Sequence, residues 1–550
     1  MTILDWIVLG IFFLGLVAIA IWSAKQKQET STDYFLAGRD ATWLAIGASI
    51  FASNIGSEHL VGLAGSGASS GMAMAHWEMH GWLILILGWV FVPFYSRSKI
   101  FTIPEFLEKR YNKESRSFLS IISLVSYILT KVAVTVYAGG IVFKEVFGIE
   151  SIFGIDFFWI SAVGLVILTG IYTILGGMKA VLYTSLLQTP VLLIGSIAVL
   201  IIGLIKAGGW SQVMEICRAV PVNADGDTMV NLIRSARDPE YPWTGVILGS
   251  AIIGFWYWCT DQYIVQRVLS ARDQTQARRG TIFGAYLKLT PVFIFLIPGM
   301  IAYALAQQGI IHLPSSDSAF AVLVKELLPI GFKGLVVGGL LAALMSSLAS
   351  LFNSSATLFT VDFYKKFKPQ APEKELVRVG RIATAAVVIL GILWIPVMKG
   401  LGKVLYAYLQ DVQSLLAPGI AAVFLLGVSS KKITSKAGIT GLVTGFVLGM
   451  LRLGLRVFQE GINPDGIIYK IFIAPNWLHY EIALFFLVII LMIVVSMFTP
   501  KPDPAAIRGL YFGSATPEEK AITRASWNKW DVINTIIILS VIVAFYAYFW

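Results

Sequence analysis

Charged residues are scarce in this sequence of 550 residues. Only 13% are Asp, Glu, Lys or Arg, whereas soluble domains carry roughly 25%. So little charge cannot cover a globular surface of this size in water. Hydrophobic residues make up 57% of the chain, and the mean hydropathy is +0.77. The composition therefore excludes a soluble protein and indicates that lipid surrounds much of the chain.

Cysteine is also rare, since the sequence has two, Cys217 and Cys259. They form neither a disulfide framework nor a metal-binding motif, and Cys259 lies in an apolar run, where packing explains it. The net charge of +10 does not indicate nucleic-acid binding, because the basic residues lie in short clusters between apolar runs. That placement is typical of membrane orientation signals.

Apolar runs long enough to cross a bilayer, roughly 20 residues each, recur along the whole chain. The first begins close to Met1 and lacks an obvious cleavage site, so we expect it to be a helix of the mature protein. The pattern predicts about fourteen spans, some of them tilted or broken. They are 4–23, 42–67, 72–95, 117–147, 154–175, 181–206, 244–266, 281–306, 318–364, 377–398, 402–428, 435–456, 479–498 and 532–549.

Clusters of Lys and Arg follow the odd-numbered spans. The intervening loops are poorer in these residues, with Arg452 and Arg456 as exceptions. A miscounted span would scramble this alternation. The positive-inside rule therefore predicts a multi-pass protein of the cell inner (plasma) membrane with both termini extracellular or periplasmic.

Two apolar segments are interrupted in their middles by polar residues and glycine, Ser53–Gly71 and Gly254–Arg267. Paired interruptions at matching places in two halves are typical of inverted-repeat transporters. Unwinding frees backbone groups at mid-membrane, which is tolerable only where they line a cavity or bind an ion. Close helix packing would also explain the glycines, but it does not explain Asn54, Glu58 and His59. We therefore predict a binding site here.

Other polar residues stand alone in apolar surroundings: Glu78, Lys131, Lys288 and Gln410. Each alone could be an interhelical pair or the end of a snorkelling side chain. Lys288 is flanked by aromatic residues, so its cation needs partners, and Glu78 or Asn54 could provide them.

Ala343, Ser346 and Ser347 are spaced i, i+3 and i+4, so they share one helix face. Hydroxyl and carbonyl oxygens suit a hard cation. The alternative is that the serine hydroxyls bond back to their own helix.

The chain resembles the sodium/solute symporter family, specifically its sodium/glucose cotransporter branch. The matching strings are DYFLAGR from Asp33, ASNIGSEHLVGLAGSG from Ala52, TIPEFLEKRYNK from Thr102, YWCTDQYIVQR from Tyr257, LMSSLASLFNSSATLFTVDFY from Leu344 and APGIAAVFLLG from Ala417. The resemblance implies an all-α polytopic membrane protein with the five-plus-five inverted-repeat fold and broken helices.

The expected division has five parts. These are 1–40, the first transmembrane helix with a cytoplasmic linker; 41–206, the first inverted-repeat half; 207–243, an extracellular or periplasmic loop; 244–428, the second half; and 429–550, additional C-terminal helices.

Matched residue by residue, the resemblance implies three groups of functional positions. Sodium falls on Ala52, Ile55, Ala343, Ser346 and Ser347; the sugar on Asn54, His59, Glu78, Tyr257, Trp258, Lys288 and Gln410; and the gates on Leu63, Trp77, Tyr257 and Tyr406.

The implied activity is sodium-coupled symport of a hexose of the glucose or galactose type by alternating access. His59 and Lys131 follow the animal glucose carriers, whereas Gly81 and Gly254 replace polar residues of a bacterial sugar site. Ser185 stands where sugar carriers often have aspartate, so we expect one sodium per sugar. Inositol, sialic acid or another organic acid remains the alternative solute. The expected partners are the sugar and membrane lipid, with Na⁺ as the co-transported ion and no nucleic acid or obligate protein partner.

A membrane-embedded enzyme is the rival from another class. His76 and His80 flank Glu78 at i, i+4 and superficially suggest a metal site. The order HWEMH differs from the HExxH zinc motif, and no third ligand is evident. We therefore predict that the protein is not an enzyme.

Overall fold

The computed structural model describes residues 1–56, 58–401 and 405–550, and the side chains of these residues except 145 and 397–411. Within them the chain is almost entirely helical. One two-stranded antiparallel ladder, β1 (Ser151–Ile152) with β2 (Ile155–Asp156), departs from an all-α protein. It pairs Ser151 with Asp156 and Ile152 with Ile155.

Eleven α-helices precede residue 207. They are α1 (Ile3–Ala24), α2 (Ser31–Phe35), α3 (Trp43–Asn54), α4 (Ala64–Ser69), α5 (Ala75–Glu78), α6 (Gly81–Ile86), α7 (Val92–Ser98), α8 (Ile103–Arg110), α9 (Lys113–Ser126), α10 (Ala133–Phe147) and α11 (Phe157–Lys206).

Fourteen more follow within the described residues. They are α12 (Trp210–Arg218), α13 (Trp243–Phe255), α14 (Gln262–Leu269), α15 (Gln274–Lys288), α16 (Ile297–Gln307), α17 (Ala319–Leu327), α18 (Phe332–Thr357), α19 (Lys365–Phe367), α20 (Glu373–Leu401), α21 (Leu405–Ser429), α22 (Ser435–Val457), α23 (Trp477–Met497), α24 (Pro517–Ala525) and α25 (Lys529–Tyr548). Short 3₁₀ turns lie at Ala37–Arg39, Gly71–Met74, Ser316–Ser318 and Gln459–Gly461.

Several long helices contain a π-helical segment, in which the backbone hydrogen bonds run from i to i+5. In the described residues these are π1 (Glu58–Leu63), π2 (Leu87–Phe91), π3 (Tyr127–Val132), π4 (Trp256–Thr260), π5 (Val292–Leu296), π6 (Leu358–Tyr364) and π7 (Tyr469–Ile473). Such segments are rare in proteins and frequent at functional sites.

Eleven helices of the described chain are long and apolar enough to cross a membrane. The 50-residue α11 would be about 75 Å long if straight, more than twice the roughly 30 Å of a hydrocarbon core. It turns at Gly177, whose φ is +54° and where a Cβ atom would lie 2.5 Å from the Tyr34 carbonyl oxygen. Two predicted spans, 154–175 and 181–206, therefore form one interrupted element. The exact number of spans stays a prediction.

Both segments predicted to be interrupted are broken. α3 ends at Asn54, and Ile55 takes an extended conformation (φ −75°, ψ 116°) before π1 begins. In the second, π4 ends α13 and Asp261 is extended (φ −81°, ψ 126°) before α14. Asp261 caps α14 by accepting a hydrogen bond from the Tyr263 backbone N–H at 3.1 Å. The breaks give each half-helix a free end inside the protein.

The helices that carry these breaks pack closely on their neighbours. A Cβ atom on Gly47 of α3 would lie 2.8 Å from the Gly280 carbonyl oxygen of α15, so the two backbones meet without side chains between them. α18 is buried along nearly all of its length. This packing places the broken α3 between α15 and α18.

Segment 207–243, expected to be a loop, contains α12 and then irregular chain. It packs on the turn before α5: the Met72 N–H donates to the Met229 carbonyl oxygen at 2.8 Å. Gly71 (φ +72°) lies so close that a Cβ atom there would be 1.9 Å from the same oxygen. Glycine is therefore required at this contact.

Candidate functional site

Polar residues from both broken elements meet at one cavity. Most of the lining side chains are buried; Glu58 and Tyr257 are half-buried. The lining residues are Asn54, Glu58, His59, Leu63, Met74, Trp77, Glu78, His80, Ile253, Gly254, Tyr257, Trp258, Lys288 and Gln413. The structure thus brings together six of the seven positions expected for the sugar. The side chain of the seventh, Gln410, lies outside the described residues, as does that of the expected gate residue Tyr406.

Lys288, the last residue of α15, is the centre of the polar cluster. Its Nζ donates to Glu78 Oε2 at 2.6 Å and to Asn54 Oδ1 at 3.1 Å. These are the two partners that the sequence suggested for the Lys288 cation. The ammonium group also lies 5.3 Å from the ring centroid of Trp258. A buried charge pair is tolerable only with such compensation, because each ion has lost its water.

Asn54 and His59 present the remaining polar groups of the first broken element. The Asn54 amide Nδ2 donates to Tyr257 Oη at 3.2 Å, which links the two breaks directly. His59 Nε2 lies 3.4 Å from Glu78 Oε2 but lacks hydrogen-bond geometry, and neither ring nitrogen has a hydrogen-bond partner among the described residues. His59 therefore keeps hydrogen-bonding capacity for a ligand.

The expected gate residues Leu63 and Trp77 are buried and line the same cavity. Trp77 stacks on Trp477 of α23 with ring centroids 5.8 Å apart and contacts Tyr241 edge-on at 6.1 Å. Sequence reasoning missed both contacts, because Trp477 begins a plain apolar span and Tyr241 lies in the irregular chain before α13, and neither belongs to a motif. Trp77, held by these two rings, thus presents an aromatic surface to the cavity.

His80 and Gln413 also line the cavity without having been assigned to it. Gln413 lies three residues after Gln410, on the next turn of α21, so this spacing could have found it. His80 was considered only as a metal ligand together with His76. The two rings do not converge. His76 Nδ1 is 2.7 Å from Tyr546 Oη, and His76 Nε2 donates to the Leu232 carbonyl oxygen at 2.9 Å, since a carbonyl oxygen can only accept. Both nitrogens of His76 are thus occupied elsewhere.

At the end of α3, two carbonyl oxygens have no hydrogen-bond donor among the described residues. No backbone N–H among the described residues donates to Ala52 or Ile55, although their exposed fractions are 1% and 0%. The last carbonyls of a helix lack intrahelical donors, and burying them without a partner is costly. This pair of oxygens can therefore act as ligands for a cation.

The hydroxyls of Ser346 and Ser347 lie beside this end of α3. A Cβ atom on Gly56 would be 3.5 Å from Ser347 Oγ. Ser350, one turn further along α18, donates back to the Ser346 carbonyl oxygen at 2.7 Å. In the described part of the chain, Ser346 and Ser347 make no such bond to their own helix; their contacts are Ser185 Oγ at 3.3 Å and Tyr263 Oη at 3.0 Å. Their oxygens face away from their own helix backbone.

Ser185, at the position where an aspartate is often found, completes a chain of hydroxyls. Its Oγ donates to the Val181 carbonyl oxygen at 2.7 Å and lies 3.3 Å from both Ser49 Oγ and Ser346 Oγ. A serine contributes no negative charge, so Ser185 would bind a second cation more weakly than an aspartate at this position.

Lys131 forms an interhelical ion pair, which was one of the two interpretations that the sequence left open for this residue. Its Nζ is 2.8 Å from Asp261 Oδ2, at the break between π4 and α14. The ammonium is surrounded by aromatic rings, with centroid distances of 4.8 Å to Tyr257 and 4.7 Å to Tyr263. The pair fixes the second break against π3 and holds these two rings in place.

Tyr263 connects the second break to the end of α3. Its hydroxyl contacts Ser347 Oγ at 3.0 Å and donates to the Ser53 carbonyl oxygen, while its ring lies 6.1 Å from that of Tyr257. One side chain thus joins the cavity wall to the oxygens around Ala52 and Ile55.

Replacing Tyr263 by Phe should raise the sodium concentration for half-maximal uptake several-fold, because the hydroxyl that holds Ser347 and the Ser53 carbonyl is lost, a change of about 1 kcal/mol. Sodium titration of uptake in proteoliposomes measures this. Tyr303→Phe, on α16, makes the same change away from the site and should leave the titration unaltered. An unchanged titration in Tyr263→Phe would contradict the connecting role.

Comparison with known proteins places these features in a family. The family model "Sodium:solute symporter family" matches residues 34–445. The sodium/mannose cotransporter of Bos taurus is 38% identical over 588 residues, covering 100% of this chain and 97% of that protein. Sodium/myo-inositol cotransporter 2 of Homo sapiens is 38% identical over 539 residues, covering 92% and 78%.

Solved structures agree on the fold. A Na⁺-coupled sialic acid symporter in a substrate-bound outward-open state matches with a TM-score of 0.75 at 21% identity, covering 91% of this chain and 99% of that one. A nucleobase-cation-symport-1 family transporter in a closed conformation matches with a TM-score of 0.51 at 14% identity, covering 88% and 99%. The predicted inverted-repeat symporter fold is thereby confirmed. The chain belongs to the sodium:solute symporter family and is a membrane transporter that carries sodium together with a solute.

Proposed function

We propose that the protein takes up a neutral polyhydroxylated ring, a hexose of the glucose or galactose type, with one sodium ion per sugar. The sugar occupies the cavity around Lys288, and the sodium lies at the end of α3. The observation that carries the proposal is the cavity's cluster of hydrogen-bonding side chains, next to buried carbonyl and hydroxyl oxygens that have no helix partner within the described part of the chain.

The cavity suits a sugar because its polar groups both donate and accept. Glu78 accepts, Lys288 donates, and Asn54 and His59 can do both. Sugar hydroxyls need the same mixture. Tyr257 and Trp258 supply aromatic faces for the apolar side of the ring, as binding pockets commonly do.

The charge of the cavity argues against an organic acid. The Lys288 ammonium is already paired with Glu78 at 2.6 Å, and Glu58 adds a second carboxyl group to the lining. A carboxylate entering this cavity would lie near both and would have to displace Glu78 from its cation. A neutral polyol avoids that repulsion.

A cyclitol is the second candidate. Two related proteins have names that state myo-inositol as the solute, at 38% and 36% identity. Myo-inositol carries a hydroxyl on every ring carbon, so the same donors and acceptors would serve it.

Sodium at Ala52, Ile55, Ala343, Ser346 and Ser347 would couple the two solutes. Bound there, it bridges α3 and α18 and stabilises the break that carries Asn54 and His59, so the sugar binds better when sodium is present. One charge crossing about 100 mV supplies about 2.3 kcal/mol. A tenfold sodium gradient adds about 1.4 kcal/mol, and together they sustain a sugar ratio of roughly 500-fold.

For inward transport we place the protein in the cell inner membrane with both termini outside, as the Lys and Arg clusters indicate. The divisions at 41–206 and 244–428 are then the two repeats that move against each other around the cavity.

Uptake into proteoliposomes driven by an inward sodium gradient tests the proposal. We expect accumulation of at least one of labelled D-glucose, D-galactose, D-mannose or myo-inositol, and none of labelled sialic acid or proline. A potassium gradient in place of sodium is the control and should give no accumulation. Accumulation of sialic acid alone would contradict the neutral-ring assignment, and sodium-independent uptake would contradict the coupling.

A further inference from the structure

His80 follows Glu78 by two residues, as His76 precedes it by two, and it lines the cavity. The residue is buried, with an exposed fraction of 3%. Its backbone is fixed at the start of α6, because its carbonyl oxygen accepts from the Leu83 N–H at 2.9 Å. Among the described residues, His80 Nε2 has no hydrogen-bond partner. A buried polar nitrogen without a partner is costly, so it needs an explanation.

Gly254 makes the space in which this ring lies. A Cβ atom at residue 254 would be 2.3 Å from Leu83 Cδ1, 2.7 Å from His80 Nδ1 and 2.8 Å from His80 Cε1. These distances are shorter than van der Waals contact, so any larger residue would displace both the Leu83 side chain and the imidazole. The position of the His80 imidazole therefore depends on the absence of a side chain at residue 254. The ring occupies the space that a polar side chain at residue 254 would otherwise fill.

Gln413 of α21 adds an amide to the same cavity, and its exposed fraction is 8%. It comes from a helix separate from both α6 and α13. An imidazole and an amide can each donate and accept hydrogen bonds.

We infer that His80, in the space left by Gly254, and Gln413 form a second hydrogen-bonding subsite that selects which neutral polyhydroxylated ring is transported. The inference rests on the proposed function. Asn54, His59, Glu78 and Lys288 hold one set of hydroxyls, and the His80 subsite holds a hydroxyl that the first set does not contact. The solute class that satisfies both is a ring with hydroxyls around its perimeter, because a ring lacking one at this position leaves His80 Nε2 buried and unpaired.

The test measures KM for the panel solute that wild-type protein accumulates best, and for each of its monodeoxy analogues, in proteoliposome uptake driven by an inward sodium gradient. Replacing His80 by Ala should raise KM for the solute about tenfold, the ratio that one lost hydrogen bond gives. One deoxy analogue should have the same KM in wild type and His80→Ala, because it lacks the hydroxyl that His80 contacts. His80→Gln restores a donor and acceptor and should recover most of the affinity. Gln413→Ala should change the KM values of the monodeoxy analogues in the same direction as His80→Ala.

Gly254→Ala gives an independent readout. Its methyl group displaces the imidazole, so it should raise KM as His80→Ala does, and the two changes combined should cost no more than either alone. Gly164→Ala, where a Cβ atom meets nothing within 4 Å, is the matched control. The sodium titration should stay within about twofold of wild type in every variant, since no oxygen near Ala52 is changed.

The outcomes separate the two levels of the argument. If wild-type protein accumulates none of the four neutral solutes, the proposed function fails and the subsite fails with it. If wild-type protein accumulates a solute but His80→Ala and Gly254→Ala leave both its KM and the analogue profile unchanged, the subsite is overturned while the proposed function stands.

Discussion

The double replacement Ser346→Ala with Ser347→Ala is expected to abolish sodium-driven uptake. It removes two hydroxyl oxygens of α18 that lie beside the end of α3, and of the proposed sodium shell it leaves only the carbonyl oxygens of Ala52, Ile55 and Ala343. Interactions of a polar group with a charged one contribute about 1.5–3 kcal/mol each, so each single replacement should raise the half-saturating sodium concentration tenfold or more. Sodium titrations of uptake measure both effects.

Ser355→Ala is the matched control for this prediction. Ser355 lies on the same helix, is fully buried, and its hydroxyl has no partner among the described residues. Its removal should leave the sodium titration at the wild-type value. Full retention of sodium dependence in the double variant would exclude this pair of hydroxyls from the ion site.

Glu78→Gln should eliminate uptake and also destabilise the folded protein. The replacement leaves the Lys288 ammonium buried without a counter-charge, and removing one partner of a buried pair costs about 3–5 kcal/mol. Uptake is lost for the additional reason that one of the two carboxylate oxygens, both acceptors, is replaced by an NH₂ group that can only donate. Thermal unfolding in detergent and uptake in proteoliposomes measure the two consequences separately.

Adding Lys288→Met to Glu78→Gln separates packing from substrate binding. Met fills the space of the lysine stem without a charge, so the double variant should unfold at a higher temperature than Glu78→Gln alone. Uptake should stay absent, because both groups that bind the solute are missing. Recovery of uptake along with stability would show that the pair serves packing and not the solute.

The fold could be predicted well because its causes are local in the sequence. Long apolar runs specify membrane helices. The breaks at Ile55 and Asp261 lie in stretches of polar residues and glycine, which favour an interruption of a helix. The partners of Lys288 were also predictable in kind, since a buried ammonium requires an acceptor and few were present. The residue-level sites remain proposals that the experiments above address.

Other features depend on contacts between distant parts of the chain. Lys131 and Asp261 form a pair across 130 positions, and nothing in either neighbourhood identifies the other. The Trp77–Trp477 stack joins residues that are each ordinary in their own apolar helices. His80 was left unassigned, because its spacing to His76 suggested only a metal site, which the sequence analysis rejected. The chain turns between α5 and α6 and sends the two rings to different neighbours.

The π segments have a consequence for how sequence length can vary in this protein. An α-helix advances by about 100° per residue, so deleting one residue from it turns every later side chain to another face. A π segment already holds one extra residue per turn, and shortening it by one yields an ordinary helix whose two flanks keep their directions. Single-residue losses in π3 or π4 would therefore preserve the packing on either side while removing the local bulge. The same loss in the middle of α18 would rotate its buried face into the wrong neighbours.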